Sequence, residues 1–122
     1  MKINTALVAL GTTRWDAVIT FYRQLLEQEP HPYQPNRYAE FALPGLILAI
    51  FVPKPDQETA FSQSLKSGLS LCLKVENLDA AIAHLQAMGY DRPFTMESAS
   101  HGQELHLYDP ADNRIILYCP QL

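Results

Sequence analysis

The chain has 122 residues, about one ordinary domain, with 48% apolar and 18% charged residues; that balance excludes a disordered chain and predicts a folded one. A formal charge of -4, with nine scattered Lys and Arg residues, excludes the clustered positive charge that nucleic acid requires. The longest apolar run, residues 46–52, is too short to cross a bilayer, and the first residues lack the basic-then-apolar layout of a secretory leader; the expected place is the cytoplasm, with no membrane partner.

Ala6-Leu7-Val8-Ala9-Leu10 is a short apolar stretch that ends at Gly11-Thr12-Thr13, which predicts a strand and a break. From Arg14 onward Ala17, Val18, Phe21, Tyr22, Leu25 and Leu26 fall on one helical face, with Thr12 or Thr13 as the cap. Pro30, Pro32 and Pro35 end the helix and predict a loop or an edge strand. Residues 38–43 and 46–52 predict a hairpin around Pro44-Gly45, a pair suited to the centre of a type II turn.

Pro53-Lys54-Pro55 stops that strand, and a polar connector runs to Gly68 with a helical turn near 58–65. The order then repeats. Residues 69–75 predict a strand, and Asn77 or Asp79 caps a helix bearing Leu78, Ile82, Leu85 and Met88, with Gly89 as its left-handed end. Strands over 94–97, 104–108 and 115–119 follow, the last two joined by a turn at Asp109-Pro110-Ala111-Asp112-Asn113. The fold class is α+β: two βαβββ modules forming curled mixed sheets around a cavity. One domain is expected over 1–122, its modules at 1–53 and 69–122 and its connector at 54–68, each half needing the other to cover its sheet. Cys72 and Cys119 lie in strand-like segments and read as buried free thiols with no disulfide or catalytic role.

Phe21-Tyr22, the hairpin Leu43-Pro44-Gly45-Leu46 and the segment from Asp109-Pro110 to Asn113-Arg114-Ile115 resemble the vicinal oxygen chelate superfamily, which includes glyoxalase I, extradiol dioxygenases and the fosfomycin- and bleomycin-resistance proteins. The last segment resembles the common family ending Asp-Pro-Asp-Gly-Asn-Arg-Ile-Glu-Leu-Tyr, with Ala111 and Asp112 in place of Asp-Gly. In metal-using relatives the first and last strands of each half supply His, Gln or Glu ligands to a divalent ion. The resemblance carries those positions onto Leu7, Ala49, Ser70 and Ile116, a set that offers one neutral hydroxyl. No family-type metal site and no cofactor are therefore expected, and chemistry that relies on that ion as a Lewis acid is disfavoured.

Strand alternation places Glu104, His106 and Tyr108 on one face and Leu105 and Leu107 on the other, with Ile116 and Tyr118 sharing the polar face. Glu104 and His106 are the candidates for an acid/base pair or for a displaced metal site; the plainer reading is a polar strip lining a pocket. Glu40 corresponds to His106, with Tyr38 beside it. Trp15, Phe51, Phe61 and Phe94 suit either a stacked flat ligand or the core. His31, His84 and His101 read as surface residues, and Arg14, Arg23, Lys74 and Arg114 as solvated cations rather than an anion clamp.

The leading expectation is a metal-independent binder of an apolar or aromatic small molecule. Its pocket is expected from Leu7, Ala49, Phe51, Ser70 and Cys72, together with His106, Tyr108, Ile116 and Tyr118. Two other readings stay open: a lyase, isomerase or dioxygenase-like enzyme working through Glu104 and His106, and a dimeric structural protein whose cavity is filled by Leu7, Phe51 and Ile116. A homodimer is expected from relatives of this size and from exposed sheet edges.

Overall fold

A computed structural model describes residues 1–99 and 102–120. The chain divides into two compact units, Met1–Gln63 and Ser64–Leu122. The first runs β1 (Val8–Gly11), α1 (Trp15–Leu26), β2 (Tyr33–Gln34), β3 (Tyr38–Leu43) and β4 (Leu46–Phe51). Its sheet has the order β1-β4-β3-β2, with β1 parallel to β4 and the other pairs antiparallel. The second runs β5 (Leu71–Lys74), α2 (Leu78–Ala87), β6 (Thr95–Ala99), β7 (Gly102–Tyr108) and β8 (Arg114–Pro120). Its order, β5-β8-β7-β6, repeats the first, again with one parallel pair, β5 and β8. The predicted elements appear in the predicted order.

Each helix covers one face of its sheet. In the first unit Val18, Ile19 and Tyr22 are buried on α1, and Phe41, Leu48 and Ile50 on the strands; the Tyr22 and Phe41 rings lie 6.2 Å apart. Each such side chain contributes about 1.5–3 kcal/mol of transfer free energy. In the second unit Leu85 of α2 is buried, as are Leu105, Leu107, Ile115 and Leu117. No helix of the described residues is long and apolar enough to cross a membrane.

The helix starts differ from expectation at α1. Neither threonine caps it: Arg14 stands at the cap position without a side-chain bond, and the Thr12 hydroxyl instead accepts from the Arg14 amide at 2.9 Å, within the preceding turn. At α2 the cap is Asn77, whose Oδ1 accepts from Ala80 N. Gly45 and Gly89 take the positive φ, 76° and 80°, that their turns require. The connector holds two 3-10 segments, Pro55–Phe61 and Ser64–Lys66. The predicted edge strand over 94–97 starts one residue later and runs two residues further, at Thr95–Ala99, because it pairs with a β7 that starts at Gly102.

The turn between β7 and β8 explains the departure from the family ending. Asp109 is fully buried; its Oδ1 accepts from the amides of Ala111 and Asn113, and its Oδ2 from the Asn113 side-chain amide. Asp112, where the family ending has Gly, adopts the left-handed conformation at φ 67°. Arg92 Nη1 donates to its Oδ1 at 2.9 Å and to the Asp109 carbonyl at 3.0 Å. An ion pair holds a conformation that glycine reaches without a partner.

Candidate functional site

In the second unit the strand register lines up two rows across the face away from α2. One row is Cys72, Ile116, His106 and Thr95; the next is Lys74, Tyr118, Glu104 and Glu97. Ile116, His106 and Glu104 are half-buried and Tyr118 is buried, whereas Cys72, Lys74, Thr95 and Glu97 are exposed. The exposure of Cys72 corrects the expectation of a buried thiol: β5 is an edge strand of this sheet, and its alternate residues point away from the helix.

Glu104 Oε2 and His106 Nε2 are 3.0 Å apart. Glu97 joins them, and one ligand atom from each of the three lies within 4.8 Å of the others. Glu97 had no assigned role in the sequence. With β6 and β7 carried to Ala99 and Gly102, the antiparallel count sets it opposite Glu104, and that count was the available signal. Partial burial and the Glu104 carboxylate raise the pKa of Cys72 above the ordinary thiol value, with Lys74 pulling it down.

The corresponding face of the first sheet carries the rows Ala9, Ala49 and Glu40, then Gly11, Phe51 and Tyr38. The Tyr38 hydroxyl donates to Glu40 Oε2 at 2.8 Å. Phe51 is covered from within its own unit: Phe61 sets its ring edge-on to it, with centroids 5.1 Å apart. Phe61 also sits where a Cβ on Gly11 would be, 2.9 Å from its Cγ.

The donor chemistry at the four family positions does not fit a divalent ion. Leu7, Ala49 and Ile116 have no ligand atom; Ala49 is fully buried, and Leu7 lies before β1 with its side chain exposed. The Ser70 hydroxyl accepts a hydrogen bond from Arg114 Nε. Among the other predicted residues, Trp15 is buried beside Tyr33, with ring centroids 6.1 Å apart. Phe94 lies 6.4 Å from Tyr90, and Arg92 stacks 5.2 Å from the centre of the Tyr108 ring. Arg23 pairs with Glu29 at 2.7 Å and lies over Tyr33. His31 is exposed, His84 is half-buried on α2, and His101 lies outside the described residues.

Neither a family model nor a curated protein matches the sequence. Solved structures do match. A glyoxalase-related enzyme from Fulvimarina pelagi superposes with a TM-score of 0.74 at 19% identity, over 95% of this chain and 87% of that one. A genomically encoded fosfomycin resistance protein from Listeria monocytogenes gives 0.73 at 15% identity, over 100% and 97%. A bleomycin-binding protein solved with bleomycin gives 0.65 at 17% identity, over 98% and 100%.

Proposed function

We propose that this chain, which has the vicinal oxygen chelate fold of the glyoxalase and of the bleomycin- and fosfomycin-resistance proteins, binds an apolar or aromatic small molecule without an ion at the four family positions. The observation that carries the reading is the helix-free face of the second sheet. There Ile116, Tyr118 and Tyr108 flank the hydrogen-bonded Glu104 and His106, so apolar area stands beside a small polar group able to orient a ligand. Ser70, just before β5, and Cys72 on β5 complete the proposed lining in this unit. Bleomycin, the molecule bound by one structural neighbour, is a direct probe of the class.

The test is a thermal-shift titration of chelator-treated protein with metal-free bleomycin and with 1-anilinonaphthalene-8-sulfonate. A saturable rise in melting temperature that Ile116→Trp abolishes supports the reading; no rise with either probe points instead to filled faces. The 3.0 Å contact of Glu104 with His106 favours a second reading, acid/base catalysis of the lyase or isomerase kind. That reading requires turnover which His106→Ala removes while ligand binding persists.

The reading extends to assembly and place. Each sheet has two edge strands, β1 and β2 in one and β5 and β6 in the other, which supports pairing of two chains as a homodimer, read by light scattering. Two free cysteines, Cys72 and Cys119, suit the reducing cytoplasm.

A further inference from the structure

We propose that Glu97, Glu104 and His106 form a site for a divalent first-row transition ion on the β6–β7 hairpin. The ligands come from β6 and β7, whereas the family positions carried over above lie on β4 and β8 and just before β1 and β5, so the ligand set is a different one. It goes beyond the small-molecule reading and does not depend on it.

Three features of the hairpin support the assignment. The register brings the three side chains to one face, with a ligand atom of each within 4.8 Å of the others. Tetrahedral ligands with bonds of about 2.1 Å stand about 3.4 Å apart, and Glu104 Oε2 and His106 Nε2, hydrogen-bonded at 3.0 Å, are close enough to reach that spacing by a small side-chain rotation. The carboxylates of Glu97 and Glu104 stand directly opposite one another on antiparallel strands, an arrangement that like charges destabilise. Among the described residues neither is ion-paired with a Lys or Arg. A dication converts that repulsion into attraction.

The donor set selects the class of ion. Two carboxylates alone suit Mg²⁺ or Ca²⁺, whereas an imidazole nitrogen in the set favours Mn²⁺ through Zn²⁺. In the loaded site His106 carries its hydrogen on Nδ1 and presents the Nε2 lone pair. Glu97 is exposed and Glu104 and His106 are half-buried, which leaves the outer side of the ion open to water or to an added ligand.

The experiment is calorimetric titration of the chelator-stripped full chain with Zn²⁺, Co²⁺, Mg²⁺ and Ca²⁺, repeated on Glu97→Gln, Glu104→Gln and His106→Gln. The expected result is one Zn²⁺ or Co²⁺ per chain, with affinity reduced at least about tenfold in each variant and with Co²⁺ visible absorption lost in His106→Gln. Melting curves of the ion-free variants establish that each is folded; Glu97→Gln, which removes a like-charge contact, is expected to melt no lower than the parent. Absence of stoichiometric binding, binding that survives all three substitutions, or a preference for Mg²⁺ or Ca²⁺ would overturn the proposal. The small-molecule reading is tested in chelator, so failure of one leaves the other standing.

Discussion

The Tyr38 hydroxyl donates to Glu40 Oε2 across 2.8 Å on the helix-free face of the first sheet. Burial first, then this hydrogen bond and the Glu40 charge, raise the tyrosine pKa above its ordinary value of 10.0. The unfolded chain therefore loses this proton at lower pH than the folded one. The contribution to stability is complete below pH 10.0 and is lost as pH rises through the folded value. Denaturant midpoints followed into alkali should fall less steeply for Tyr38→Phe than for the parent, and parallel curves would show that the contact is without consequence.

Asp109 organises the turn before β8 with three accepted hydrogen bonds in a fully buried place. Asp109→Ala strips the Ala111 and Asn113 amides of their acceptor and should cost about 2–4 kcal/mol in urea unfolding. A loss under about 1 kcal/mol would mean that water replaces the carboxylate at little cost.

At Asp112 two small effects oppose each other. The left-handed backbone costs about 1 kcal/mol for a residue with a Cβ, and the half-exposed pair with Arg92 returns about 0–1 kcal/mol. Asp112→Gly should be close to neutral. Asp112→Ala keeps the backbone cost and loses the ion pair, so it should be less stable than Asp112→Gly by about 1 kcal/mol. Equal stabilities of the two variants would remove backbone strain from the explanation.

Cys72 reports the electrostatics of the second sheet. Burial is the largest cause of its raised pKa and Glu104 the next, with Lys74 opposing. In a Cys119→Ser background, Glu104→Gln should quicken iodoacetamide alkylation of Cys72 at pH 8, and Lys74→Gln should slow it. Rates indifferent to both substitutions would place the thiol outside the field of these groups.

Most of the fold was readable because it is written in short-range patterns. The spacing of Val18, Phe21 and Tyr22 marks α1, the alternation of Leu105 with Leu107 marks the helix-covered face of β7, and Gly45 and Gly89 mark turns that need positive φ. What escaped depends on longer range or on competition among equals. Thr12, Thr13 and Arg14 all adjoin the start of α1, and the Thr12 hydroxyl serves the turn instead of the helix. Phe61 reaches Phe51 from a connector whose sequence pattern carries no sign of where it folds back. Glu97 enters the candidate site through the register of β6 on β7, which sets it opposite Glu104, a pairing that alternation along β7 alone does not reveal. Glu104 and His106, two residues apart on one strand, required only alternation, and they are adjacent.

The most direct test of the central claim is fluorescence titration of 1-anilinonaphthalene-8-sulfonate into the chelator-treated full chain, with metal-free bleomycin as competitor. Saturable one-to-one binding, unchanged by chelator, displaced by bleomycin and lost in Ile116→Trp, is the expected result. Binding that appears only when a divalent ion is restored, or no saturable binding in either condition, would contradict it.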